Sequence, residues 1–390
     1  MKKLYKLLIS TLFFATFGFG QTEVSGIISS NTTWTLENSP YIVTGNVLLN
    51  EGITLTIEAG VTVKFDADKV LQINGELVAQ GTNGSEITFT SNEASPAAGD
   101  WGKISFLDES VDASFSGTTY TSGCILEYCT IEYGSGVLLN LGNPFINYCT
   151  VRYMDGVGIY MNSHDYDSNR NATIRITNNT IHNNTKGIRT YGYGTVTIDN
   201  NTVRNNTDGG IGAVSYDCTV SNNTIKNNTG PGAITSSAGG TFTNNIITGN
   251  TNSNGDGGGI DAYAGDFSNN IIYGNSARSG GGVYIDGDAS LTKNIIVGNI
   301  ATDNGGISEL YWSGRGETVS FNIIANNDEG YAVYDRSGGD SNYPSTFNNN
   351  AIIGFSGYEK VYNCTDCELA DPDDNPIEIK GFGEGVVNAQ

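Results

Sequence analysis

Asp261 and Asp286 lie 25 residues apart, and each has a tyrosine two residues away, Tyr263 after the first and Tyr284 before the second. Two carboxyls held about 5–9.5 Å apart can cleave a glycosidic bond, one as acid and the other as base or nucleophile. Both ionised, they offer the hard oxygens that Ca²⁺ takes, so the same two residues are the metal candidates. A solvated acidic surface would contain such a pair too, since the chain has 41 Asp and Glu against 19 Lys and Arg. His164 is a third catalytic candidate. It stands with Asp165, Asp167 and Arg170 in the polar stretch 162–173, and an imidazole beside carboxylates suits a base or a ligand. Glu309, Trp312 and Arg315 cluster in a second long stretch, 308–318, and a third covers 335–346. Long loops are polar by default, and that reading applies to all three.

Such residues act together only if the backbone brings them to one place, and a repeat does this. The apolar residue after each Asn-Asn-x or related triplet gives anchors at Ile181, Val203, Ile225, Ile247, Ile272, Ile296, Ile324 and Ile352. Five residues before each anchor is another apolar residue, from Ile176 to Phe347. Two before is always asparagine: Asn179, Asn201, Asn223, Asn245, Asn270, Asn294, Asn322 and Asn350. Three after comes asparagine again, at Asn184, Asn206, Asn228, Asn250, Asn275, Asn299 and Asn327. A Gly-rich bend then leads to a third apolar start at Ile188, Ile211, Ile234, Ile260, Val283, Ile307 and Val333. Alternation of period two, as in TIRI and TVTI, marks strands. Three short strands per coil of about 22 residues, stacked many times, make an all-β parallel solenoid. Asparagine tolerates the left-handed corners, and stacked amides bond from coil to coil.

In that frame the outward positions of the third strand form two columns. The first reads Leu138, Tyr160, Arg189, Gly212, Thr235, Asp261, Tyr284, Ser308, Tyr334; the second reads Asn140, Asn162, Tyr191, Val214, Ser237, Tyr263, Asp286, Leu310, Arg336. Tyrosines beside Asp, Arg and Asn supply the flat apolar faces and hydrogen-bonding groups that sugars need. Exposed strands also favour tyrosine for its own sake. The binding candidates are Tyr160, Arg189, Tyr191, Asp261, Tyr263, Tyr284, Asp286, Trp312 and Tyr334. A separate column, His182, Arg204 and Lys226, carries cations outward on three successive coils.

Residues 1–20 have a lysine-rich start, an apolar run and a small-x-small ending, the pattern of a signal peptide too short for a transmembrane span. The expected location is therefore secreted or cell-surface. A formal net charge of −22 excludes the basic surface that nucleic acid requires. The frame loosens over 21–120, read as an amino-terminal cap and first coils; 121–354 are regular coils, and 355–390 a cap or linker. Cys129 and Cys149 fall at the ladder position of consecutive coils, where a disulfide and two packed thiols are both open. Cys364 and Cys367, three residues apart, suit a local disulfide.

The NNTI…NNT coils, the segment GITLTIEAGVTVKF and the strand WGKISF resemble secreted right-handed parallel β-helix repeat proteins, the superfamily that includes pectate-lyase-like enzymes. That resemblance implies a right-handed coil and an elongated groove on the third strand. The expected function is non-catalytic binding of a polysaccharide or cell-surface polymer along that face. A divergent polysaccharide lyase or glycoside hydrolase using the same face is the first alternative, and a structural or adhesive module the second. Ca²⁺ is the one cofactor suggested; the oligomeric state is not indicated.

Overall fold

A computed structural model describes residues 20–163, 173–192, 194–215, 217–302, 307–312, 318–325, 331–335, 346–353 and 361–362. The chain winds as an all-β, right-handed parallel solenoid of about eleven turns. One coil shows the plan: strands Thr195–Asp199, Thr202–Arg204 and Ile211–Ser215 run in sequence around the axis. Each pairs in register with its counterpart one coil on, as in Val196↔Cys218, Thr202↔Thr224 and Ile211↔Ile234. The alternation seen in the sequence turns one residue in two inward. The inward file Ile181, Val203, Ile225, Ile247, Ile272, Ile296 and Ile324 is fully buried. Each such side chain stabilises the fold by roughly 1.5–3 kcal/mol. Aromatic residues stack along the same axis, Phe242 on Phe267 with ring centres 4.4 Å apart and Phe65 on Trp101 at 4.1 Å.

The two asparagines of each pair do different things. The first turns the corner: Asn178, Asn183, Asn200, Asn205, Asn222 and Asn227 have φ between 55° and 59°. The second points in and is buried. Asn201 shows its bonding: the backbone N–H and Nδ2 donate to Asn223 Oδ1 at 2.8 and 3.0 Å, and Nδ2 also donates to the Ile176 carbonyl at 2.9 Å. This file continues from Asn179 to Asn350, so each buried amide is satisfied by its neighbours. A second file runs from Asn184 to Asn299. It then passes to a carboxylate: Asn299 donates through its backbone N–H and Nδ2 to the two oxygens of Glu309, at 3.1 and 2.6 Å, and Glu309 is fully buried.

Cysteines substitute for asparagine where the first file begins. Cys149 donates its N–H to Asn179 Oδ1 at 2.8 Å and its thiol to the Leu126 carbonyl at 3.3 Å; Cys129 donates its thiol to the Ala79 carbonyl at 3.5 Å. Both are buried free thiols in this structure, so the packed-thiol arrangement is the one found here. Burial, reinforced by the neighbouring Cys149, pushes the Cys129 thiol well above its usual range. Cys364 and Cys367 lie outside the described residues.

The third-strand frame needs one correction. Ile307 and Ser308 do not continue it. Val283 pairs with Leu310, Tyr284 with Tyr311 and Ile285 with Trp312. The repeat is 28 residues long here, and the extra residues fall before the segment Leu310–Trp312 that pairs with the previous coil, with a register shift between Ile307 and Leu310. Leu310 is therefore fully buried in the core and does not face outward. Trp312 is in register with Ile285, not with Tyr284.

Among the described residues, no helix is long and apolar enough to cross a membrane. One feature belongs to no coil. Strands Ser114–Ser116 and Thr119–Ser122 pair antiparallel as a hairpin, whereas the other paired strands are parallel.

Candidate functional site

The third strands place one residue per coil on a continuous outward column. Its register runs Leu138↔Tyr160↔Arg189↔Gly212↔Thr235↔Asp261↔Tyr284, and then Tyr311↔Tyr334. Spacing had given Ser308 the place that Tyr311 takes. Tyr311 stacks on Tyr284 with ring centres 4.6 Å apart and planes 12° from parallel. At the other end the Arg189 guanidinium lies 5.9 Å from the Tyr160 ring centre.

Between these ends the column dips at Gly212. A small cleft of about 150 Å³ opens there, with Arg189, Gly212 and Thr235 along it and Lys186, Asp208 and Pro231 at its side. Lys186 and Asp208 form an ion pair of 2.7 Å that fixes this rim. Gly212 is not required by the backbone. A Cβ there would meet Thr235 Oγ1 at 3.4 Å and Arg189 Cγ at 3.7 Å, ordinary contacts. Gly210, two residues earlier, is different, because its Cβ would lie 2.5 Å from the Ala233 carbonyl oxygen. Coil packing thus demands one glycine and leaves the other free.

The carboxylates gather beyond the cleft. Asp261 is largely buried, and its pKa is raised to about 6, first by burial and then by the charges of Asp256 and Asp286. Asp256 is held by Arg278, whose Nε and Nη2 donate to its two oxygens at 3.1 and 2.8 Å. The register shifts between Ala262 and Ala264, leaving Tyr263 in a bulge and more than half exposed, with Gly287 packed against its ring. The Tyr284 hydroxyl is pushed up to about 12 by burial, then by Tyr311 and the nearby aspartates, and stays protonated.

Asp261 is in register with Tyr284, Asp286 is close enough for its charge to act on both, and Tyr263 stands in the adjoining bulge. Tyr191 pairs with Asn162 in the parallel column. His164 lies outside the described residues, as do 313–317 and 336–345 of the other two long stretches. Among the described residues no group of three or more His, Cys, Asp or Glu side chains converges to hold a metal. Tyr311, Asp256 and the Lys186–Asp208 pair stand at positions that sequence spacing does not single out. The Gly-rich bend at 254–259 was the only signal for Asp256.

The cation column is present, in the register Arg152↔His182↔Arg204↔Lys226. Its charge is low. Arg152 is paired with Glu132, and burial, with Arg204 and Arg152 nearby, lowers the His182 pKa from 6.5.

Residues 116–277 match the family model described as right-handed beta helix region, and residues 26–162 match the pectate-lyase-like beta helix domain. No curated protein matches the sequence. Among solved structures, a variant of the periplasmic alginate epimerase AlgG superposes with a TM-score of 0.55 at 12% identity, over 84% of this chain and 85% of that one. The A-module of the mannuronan C-5 epimerase AlgE4 from Azotobacter vinelandii is 17% identical over 86% of this chain and 87% of that one, with a TM-score of 0.47. At such identities the likeness to AlgG is one of fold. The two matches together span residues 26–277, and with the coil geometry they identify that stretch as a right-handed β-helix, with a pectate-lyase-like β-helix domain over 26–162.

Proposed function

We propose that this protein binds an extended polysaccharide along the outward third-strand column, outside the cell or at its surface, without cleaving it. Gly212 carries the reading. Packing permits a side chain there, yet the position is empty, and the gap forms the floor of a cleft. Tyr160 with Arg189 lies to one side, and Asp261 with the Tyr284–Tyr311 stack to the other. Aromatic faces flanking a polar, open trough suit a chain of sugar rings. Support also comes from the irregularity of the column. The asparagine files repeat from coil to coil because the fold needs them, whereas these residues do not repeat. AlgG, whose fold the chain shares, is by its name an alginate epimerase, so this scaffold does serve polysaccharide chemistry.

The test is affinity electrophoresis and titration calorimetry against a polysaccharide panel. Gly212→Leu and Tyr284→Ala should each weaken the bound polymer by about tenfold, roughly 1.4 kcal/mol; Gly212→Leu should do so without lowering the melting temperature, while Tyr284→Ala also loses its stack on Tyr311. Unchanged affinity in both variants would sink the groove.

One observation favours a second reading. A carboxyl near pKa 6 beside other aspartates is suited to donate a proton to a leaving sugar oxygen, as in a hydrolase. Release of reducing ends or unsaturated products, measured with and without Ca²⁺ and abolished in Asp261→Asn, would replace binding by catalysis.

A further inference from the structure

We propose a second saccharide site on a different sheet, roofed by the 114–122 hairpin and taking an uncharged oligosaccharide. The hairpin is folded down on the outer face of the first strands by its own small core. Phe115 meets the Phe145 ring edge-on at 5.2 Å, and Tyr120 lies over Phe145 at 6.0 Å. The Arg175 guanidinium sits 3.9 Å over the Phe115 ring and donates through Nη2 to the Gly117 carbonyl at 3.0 Å. None of these contacts belongs to the coil frame. They hold a roof at a fixed height above the sheet.

Beneath that roof is a cleft of about 730 Å³, within the roughly 300–1,000 Å³ of sites that bury small ligands. Its roof offers the hydroxyls of Thr118 and Thr119, and its floor those of Thr177 and Thr197. Tyr148, nearly half exposed, forms a side wall and is backed by Tyr128 at 4.8 Å. Arg175 also lines the space, already ordered by Phe115 and Gly117. Little side-chain freedom remains to be lost on binding, which favours affinity.

Charge selects the ligand class. Two carboxylates line the cleft against the single cation. Glu127 accepts from Asn147 Nδ2 at 2.7 Å and from Gln80 Nε2 at 3.2 Å; Asp199 accepts from Ser221 Oγ at 2.6 Å and Asn222 Nδ2 at 2.7 Å. These bonds fix the acids as acceptors, and a polyanion would meet them as like charges. Hydroxyls, amides, fixed acceptors and ring surface together fit an uncharged, hydroxyl-rich ligand.

The test uses the full chain with cellotetraose, laminaritetraose and mannotetraose, and with tetragalacturonate as the anionic comparison. Saturation-transfer NMR and calorimetry read binding. At least one neutral tetrasaccharide should bind the Gly212→Leu variant, whose groove is blocked, and adding Thr197→Trp should weaken that remaining binding about tenfold or more by filling the cleft. Thr119→Trp blocks the same space from the roof and serves as the second variant should Thr197→Trp unfold. No neutral ligand bound, binding of tetragalacturonate alone, or a loss confined to the groove variant would each overturn the proposal. The last outcome would leave the groove itself intact, so the two sites fail separately.

Discussion

Asn205 and Asn206 put one side chain type to opposite uses, and substitution separates them. Asn206 accepts the Asn184 N–H at 3.0 Å and donates to Asn228 Oδ1 at 3.0 and 2.9 Å through its backbone and side-chain nitrogens. In Asn206→Ala the buried Asn184 N–H loses its acceptor, and the expected cost is about 3 kcal/mol in urea denaturation. Asn205 only turns the corner, so Asn205→Gly should be within about 0.5 kcal/mol of wild type and Asn205→Ala about 1 kcal/mol worse. Asp261 carries the opposite lesson, a side chain the fold would do better without. Its folded pKa of about 6 lies above the ordinary 3.8, so between these values the native state binds more protons than the unfolded one. Stability from this group is therefore highest below about pH 4 and is lost as pH rises through 6, by roughly 3 kcal/mol. Asp261→Asn should remove that slope and stabilise the protein at pH 7. Equal pH dependence in wild type and variant would show that Asp261 is not held in this way.

At the scale of the coil, glycine divides into positions the fold needs and positions it does not. A Cβ on Gly210 would press on the Ala233 carbonyl at 2.5 Å and on Ile225 Cγ2 at 2.8 Å. The backbone of the next coil cannot step aside, so Gly210→Ala should cost roughly 1–3 kcal/mol, while Gly212→Leu should leave the melting temperature within experimental error. The coil frame was legible in the sequence because apolar spacing and asparagine spacing are enforced together, one by the core and one by the files of amides. It held through Val283. It failed at Ser308 and Leu310 because a 28-residue step does not say where its extra residues sit, and a buried Glu309 standing in for asparagine gives no spacing signal. Asp261, Tyr263, Tyr284 and Asp286 were legible as neighbours because two coils and one strand suffice to place them. The 114–122 hairpin was not. It is held by Phe115, Tyr120, Phe145 and Arg175, contacts between segments with no shared period.

For the whole solenoid, charge decides which polymers come near before any contact is made. Coils stack at about 4.8 Å, so eleven turns span roughly 50 Å, several Debye lengths at physiological salt. A polymer lying along that length meets the field of a chain with a formal net charge of −22. Arg204 and Lys226 add positive charge on one face, and the other cations near them are muted. Lys186 is tied to Asp208, Arg152 to Glu132, and His182 is held below its usual pKa and neutral at pH 7. A neutral polysaccharide should therefore bind with an affinity that changes less than about twofold between roughly 20 and 300 mM NaCl. A polyuronate should bind weakly at low salt and tighten as salt screens the repulsion. Titrations of one neutral and one anionic polymer across that range read the sign directly. Tight polyuronate binding at low salt that weakens steeply with added salt would mean that a basic track dominates recognition, and the neutral-ligand assignment would fall with it.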